Sequence, residues 1–94
     1  DYQIKHLGYR IELGEIESNV ISIKHIKQCA CVYSEQKDSI ICFYAGEIEE
    51  SAVKDELKER LPFYMIPQKV VKMNQLPINA NGKIDRLLLR REIE

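Results

Sequence analysis

Ile26-Lys27-Gln28-Cys29-Ala30-Cys31-Val32-Tyr33-Ser34, then Glu35-Gln36-Lys37-Asp38, then Ser39-Ile40-Ile41-Cys42-Phe43-Tyr44-Ala45 is the stretch that decides the fold. Successive side chains on a strand alternate in direction, so the first run places Cys29, Cys31 and Tyr33 on one side and Ala30 and Val32 on the other. The four polar residues read as a turn. The second run is almost entirely apolar, as expected of a central strand covered on both faces. Such a strand needs helices packed on its sheet.

Downstream, residues Ser51 to Arg60 read as a helix whose apolar stripe is Val53, Leu57 and Leu61. Glu49 and Glu50 suit its positive N-terminal end, Lys58 and Arg60 its negative C-terminal end, and Pro62 stops it. Val70-Val71-Lys72-Met73 reads as a third strand, and Asp85 stands where it can cap a last helix carrying Leu87, Leu88, Leu89 and Ile93. Upstream, Gly14-Glu15 opens a helix with Ile16, Val20 and Ile23 at i, i+4 and i+7. Residues 2–13 alternate with a break at Gly8, the pattern of a short hairpin or bent strand pair. The expected fold is α+β: a small sheet of about three strands with packed helices and an N-terminal β-hairpin.

A chain of 94 residues is one domain, 1–94, because single domains commonly run to ~100–200 residues. Its 14 basic and 15 acidic residues are interspersed and give a formal charge of −1, which provides no footprint for nucleic acid or for an anionic membrane. No apolar run approaches the ~20 residues of a membrane span. Three cysteines, an odd number, argue against a disulfide framework. Cys29 and Cys31 are too close in sequence for the usual zinc spacing, and no pair of histidines completes a ligand set, so no metal site is expected. The cysteines read as small buried apolar residues in a reducing cytosol, and the chain as a cytoplasmic monomer. His6 and His25 read as isolated surface or edge histidines, and Glu12, Glu15 and Glu17 as ordinary acids at a helix N-terminus. The opening Asp1-Tyr2-Gln3-Ile4-Lys5 enters strand-like alternation at once, and the chain is expected to be an excised piece of something longer.

Three ordered strings carry the functional reading. The first is Gly8-Tyr9-Arg10-Ile11-Glu12-Leu13-Gly14-Glu15-Ile16-Glu17 and the second Leu61-Pro62-Phe63-Tyr64-Met65-Ile66-Pro67. The third is Asn81-Gly82-Lys83-Ile84-Asp85-Arg86, a lysine on an Asn-Gly turn at the mouth of a Leu-rich helix, where Gly82 allows positive φ and projects the lysine outward. In this order and at these separations they resemble the C-terminal subdomain of the adenylate-forming enzymes, over essentially the whole chain. The branch they resemble most is the one that activates amino acids: adenylation domains of non-ribosomal peptide synthetases and D-alanine–carrier protein ligases.

That resemblance implies a mobile lid which supplies one catalytic residue, Lys83, to a large N-terminal domain. An ammonium there stabilises the negative charge that accumulates when a substrate carboxylate attacks the α-phosphate of ATP. In the second pose of such a lid, Gly8 belongs to the loop that meets the phosphopantetheine arm of a carrier protein, with Lys5 and Arg10 near phosphates or carrier. Asp1 matches the hinge aspartate. The implied cofactors are ATP and magnesium, bound mainly by the N-terminal domain, and the acceptor's phosphopantetheine. The implied partners are that domain, an acyl or peptidyl carrier protein and an amino acid. The chain itself has no Gly-rich phosphate loop, so by itself it is expected to be inactive. Glu12-Leu13-Gly14-Glu15 and Tyr64-Met65-Ile66-Pro67 favour amino-acid activation over an acyl-CoA synthetase-type lid. A small non-catalytic interaction module with an exposed Lys83 is the reading from another class.

Overall fold

The computed structural model describes residues 3–94 and is α+β, as the alternation of patterns predicts. Strands β1 (Gln3–His6) and β2 (Tyr9–Glu12) form the N-terminal hairpin, with Ile4 opposite Ile11 and His6 opposite Tyr9. Its two-residue turn holds Leu7 at φ 55° and Gly8 at φ 82°. Positive φ at both central positions matches the right-handed twist of the flanking strands, and glycine adopts it without penalty where leucine does not.

Helix α1 (Leu13–Ile21) buries Leu13, Ile16 and Val20. Ile23, expected as the next step of that stripe, is also buried, but from the turn after the helix, where its N–H donates to the Val20 carbonyl at 3.0 Å. Strands β3 (Ile26–Ser34) and β4 (Ser39–Gly46) are antiparallel, with Cys31 opposite Cys42. Helix α2 (Glu50–Arg60) crosses over to β5 (Lys69–Lys72), which pairs parallel to β4 with Val70 beside Cys42. A parallel pair needs a long connection, and α2 provides it. The sheet order β3-β4-β5 makes the apolar run the middle strand.

Two cores follow from the alternation on β3 and β4. Cys29, Cys31, Ile40, Cys42 and Tyr44 pack under α1 and α2, while Ala30, Val32, Ile41 and Phe43 pack with Leu76 under α3 (Arg86–Ile93), which contributes Leu89. Asp85 caps α3 by accepting the Leu88 N–H at 3.0 Å. Only one of the three consecutive leucines of α3, Leu89, can face the sheet; Leu87 and Leu88 are exposed.

Candidate functional site

Lys83 sits on the closing side of a tight turn whose two sides are joined by a backbone bridge between Ile78 and Ile84. The side chain of Asn79 fills the turn, its Oδ1 accepting from the N–H groups of Asn81 (2.9 Å) and Lys83 (3.1 Å). The Asn79 N–H donates to the Lys83 carbonyl at 2.7 Å and the Gly82 N–H to the Asn79 carbonyl at 3.0 Å, with Gly82 at φ 81°. The lysine backbone is therefore fixed while its side chain is exposed. Among the described residues no carboxylate pairs with it.

The base of that turn is fastened to the body by a residue far away in sequence. Arg86 donates through Nη2 to Glu17 Oε1 at 2.9 Å and through Nε to Glu17 Oε2 at 3.1 Å, and Oε2 also accepts the Cys31 N–H at 2.7 Å. A bidentate guanidinium–carboxylate pair fixes direction as well as distance. Glu17 on α1 thus sets where α3, and with it Lys83, emerges from the sheet. Read from the sequence as an ordinary first-turn acid, Glu17 is instead a mostly buried anchor.

The hairpin divides its side chains between two faces. Ile4, His6, Tyr9 and Ile11 share the face turned to the body, and Lys5 and Arg10 lie directly opposite one another on the other, both exposed. Like charges on one rung repel and weaken the pairing, so this hairpin presents two cations at some cost to its own stability. Gly8 is at the tip, and a Cβ added there would meet nothing within 4 Å. The glycine is thus called for by its φ, since nothing within the chain crowds it.

His6 corrects the sequence reading: it is buried and bonded to a carboxylate. Its Nδ1 lies 3.1 Å from Asp38 Oδ1 and its ring meets that of Tyr33 edge-on. Tyr33 donates its hydroxyl to the same Asp38 oxygen at 2.5 Å. Those two bonds, the tyrosine's first, hold the Asp38 carboxyl below its ordinary value, and the same bond pushes the Tyr33 hydroxyl up. From the other strand but on the same face, Tyr9 stacks on Tyr64 at 3.8 Å between ring centroids, with Phe63 edge-on to both. Tyr64 is half-buried in that stack, and Met65 next to it is buried. Nothing in the local sequence marks Asp38, 32 residues from His6, as its partner.

The three thiols are free and buried. Burial pushes Cys29 up to about 12, and the bond to Cys42 raises Cys31 as well, so both remain protonated and inert at neutral pH.

The structure brings Lys5, Gly8 and Arg10 together and leaves Lys83 elsewhere. The hairpin tip lies beside Asp38, past the Ser34 end of β3, while Ile84 shares a groove of about 350 Å³ with Lys27, Gln28 and Cys29 at the other end. The six steps of strand from Gln28 to Ser34 span roughly 20 Å. Asp1 lies outside the described residues. Among the described residues, no group of three His, Cys, Asp or Glu could hold a metal ion. No helix is long and apolar enough to cross a membrane.

Known proteins resemble this chain over almost its whole length. Residues 15–83 match the model of the AMP-binding enzyme C-terminal domain. The chain is 38% identical over 104 residues to the D-alanine–D-alanyl carrier protein ligase of Listeria innocua, an alignment covering 99% of the chain and 20% of the relative. It is 43% identical over 94 residues to zwittermicin A synthase ZmaJ of Bacillus cereus, covering 95% of the chain and 18% of the relative. Against tyrocidine synthase 3 of Brevibacillus parabrevis, identity is 42% over 95 residues, covering 95% of the chain and 2% of the relative. The chain thus spans a fifth or less of these relatives. Among solved structures, Klebsiella oxytoca NpsA in complex with 3-hydroxyanthranilyl-AMSN superposes with a TM-score of 0.87 at 28% identity, covering 98% of this chain and 19% of that one. Apo MatB from Rhodopseudomonas palustris superposes at 0.88 with 22% identity, covering 98% and 20%.

Proposed function

This chain belongs to the AMP-binding enzyme C-terminal domain family, and on that premise we propose that residues 1–94 are the mobile C-terminal subdomain of an ATP-dependent amino-acid-activating ligase. In the first half-reaction an oxygen of the amino acid's carboxylate attacks the α-phosphorus of ATP and pyrophosphate leaves. Lys83 contributes a fixed positive charge to the oxygens where negative charge builds. In the second, the thiol sulfur of a phosphopantetheine arm attacks the acyl carbon of the adenylate and AMP leaves. The hairpin serves that step, Gly8 leaving room for the arm and the Lys5–Arg10 rung attracting the arm's phosphate or an acidic carrier protein. ATP and magnesium are held by the N-terminal domain.

The observation that carries this reading is the presentation of Lys83: a backbone pinned from several directions and an exposed ammonium that pairs with no carboxylate among the described residues. A lysine serving only solubility has no need of so rigid a mount. Relatives at 38–43% identity that are carrier protein ligases or peptide synthases favour amino-acid activation over an acyl-CoA synthetase-type lid. Membership of an enzyme family weighs against a non-catalytic interaction module.

The test is amino-acid-dependent pyrophosphate exchange by the full-length ligase. Lys83→Ala should reduce it on the order of 10²–10³-fold, the effect of removing one preorganised donor. Folding stability should be unchanged because the side chain is exposed. Exchange near the wild-type rate would show that another residue supplies the charge.

A further inference from the structure

Each nitrogen of the buried His6 ring faces one partner, and the partners decide where the proton sits. Nε2 lies 3.3 Å from Nε2 of Gln68, just before β5, and Nδ1 lies 3.1 Å from Asp38 Oδ1. The Gln68 amide cannot turn over. Its Oε1 accepts the Ile40 N–H at 2.7 Å, while its own backbone N–H donates to the Ile40 carbonyl at 2.9 Å. A reversed amide would set its NH₂ against the Ile40 N–H. The NH₂ therefore points at His6 and donates, so Nε2 carries the lone pair and the ring proton is on Nδ1. Asp38, ionised and acceptor-only, takes that proton's hydrogen bond beside the one from Tyr33. Donors and acceptors alternate without conflict from Ile40 through Gln68 and His6 to Asp38, but only for this tautomer of neutral histidine.

We infer that His6 is a positioning residue for thiol transfer: its Nδ1–H tautomer ties the Leu7-Gly8 turn to Asp38 of the β3–β4 turn and to Gln68 before β5. This rests on the reading of the hairpin as the thiol-transfer element. An apolar side chain of similar size would fill the same space, so packing alone does not call for histidine. What calls for it is a donor on one side and an acceptor on the other, joining two segments 30 residues apart in sequence. His6 and Tyr9 form the rung next to the turn, so their anchors set the angle at which Gly8 and the outward Lys5–Arg10 rung face an incoming arm. Without the His6 anchor the hairpin remains held by Ile4, Ile11 and Tyr9, folded but free to tilt.

Two measurements test this. Imidazole nitrogen resonances of the isotope-labelled chain should show His6 protonated at Nδ1 and bare at Nε2. Gln68→Glu, which sets a carboxylate oxygen where the NH₂ stood, should bring a proton to Nε2. A wild-type ring protonated at Nε2, or exchanging between tautomers, overturns the latch. In the full-length ligase, His6→Leu should slow transfer of a pre-made adenylate to the thiol on the order of 10–100-fold, the usual effect of a misplacement of about an ångström, and slow adenylate formation far less. His6→Asn, whose amide nitrogen can stand in for Nδ1, should recover part of the loss. Equal losses in both half-reactions, or none, overturn the positioning role. Gly8→Leu separates this from the reading it rests on. If that variant blocks transfer and His6→Leu does not, the hairpin reading stands and the latch falls. If Gly8→Leu spares transfer, both fall together.

Discussion

Two turns of this molecule are built alike and held differently. The hairpin turn and the Lys83 turn each pivot on a glycine, Gly8 at φ 82° and Gly82 at φ 81°, with open space around both. Each presents cations to solvent. The Lys83 turn is pinned from within by its backbone bridge and by Asn79, and its base is bolted down by the Glu17–Arg86 pair. The hairpin is pinned from beneath, by one side chain from each strand, His6 and Tyr9. A charge that must meet a developing negative charge needs its own backbone fixed. A loop that must admit a long flexible arm needs its orientation fixed and its outer face bare.

The largest way to break that contrast on the Lys83 side is Glu17→Gln. The new amide would set an NH₂ against the Arg86 guanidinium while still accepting from Cys31 N–H. Loss of a charge-assisted, partly buried pair should cost about 1.5–3 kcal/mol in denaturant unfolding and slow adenylate formation more than thiol transfer. Unchanged stability would mean that the pair does not fasten α3.

A smaller effect of opposite sign is expected in the hairpin. Leu7 holds a left-handed conformation that leucine resists, whereas asparagine before glycine favours this turn. Leu7→Asn should raise stability by about 1 kcal/mol, read as an upward shift in Tm. A loss would show that the exposed leucine makes a contact worth more than its strain.

The smallest effect is electrostatic. Asp38 is held below its ordinary 3.8 by Tyr33 and His6. A carboxylate with a depressed folded-state pKa contributes stability that is fully present above the unfolded value and lost as pH falls through the folded one. The stability its hydrogen bonds contribute should thus be present above the ordinary carboxylate value and be lost as pH falls through the lower folded-state value. Carbon-detected titration of the Asp38 carboxyl should give a midpoint under 3.8; one at or above that value contradicts the hydrogen-bonded arrangement.

What the sequence revealed follows the range of the forces involved. The β3-turn-β4 run, α2 ending ahead of Pro62 and the Asp85 cap are written in neighbouring residues, and all three stand in the structure. The turn that presents Lys83 was legible from Asn81-Gly82. The helix at Ile16 and Val20 was legible too, but Ile23 keeps the periodicity from a turn, since burial, not helicity, is what the pattern records. Partners far apart in sequence were not legible. Glu17 and Arg86 are 69 residues apart, and His6 and Gln68 are 62 apart. Each looks like a solvated polar residue until the sheet brings it to its mate. The parallel pairing of β5 was likewise hidden, because a strand pattern carries no direction.

The central claim is that the two turns serve different half-reactions, and single-turnover kinetics of each half-reaction in the full-length ligase tests it most directly. Lys83→Ala should form adenylate slowly yet pass a pre-made adenylate to the thiol. Gly8→Leu, with a branched side chain forced into left-handed backbone at the arm's approach, should form adenylate and fail to transfer it. That crossed pattern is the predicted result. Parallel losses, with both variants impaired in the same half-reaction, would contradict the account.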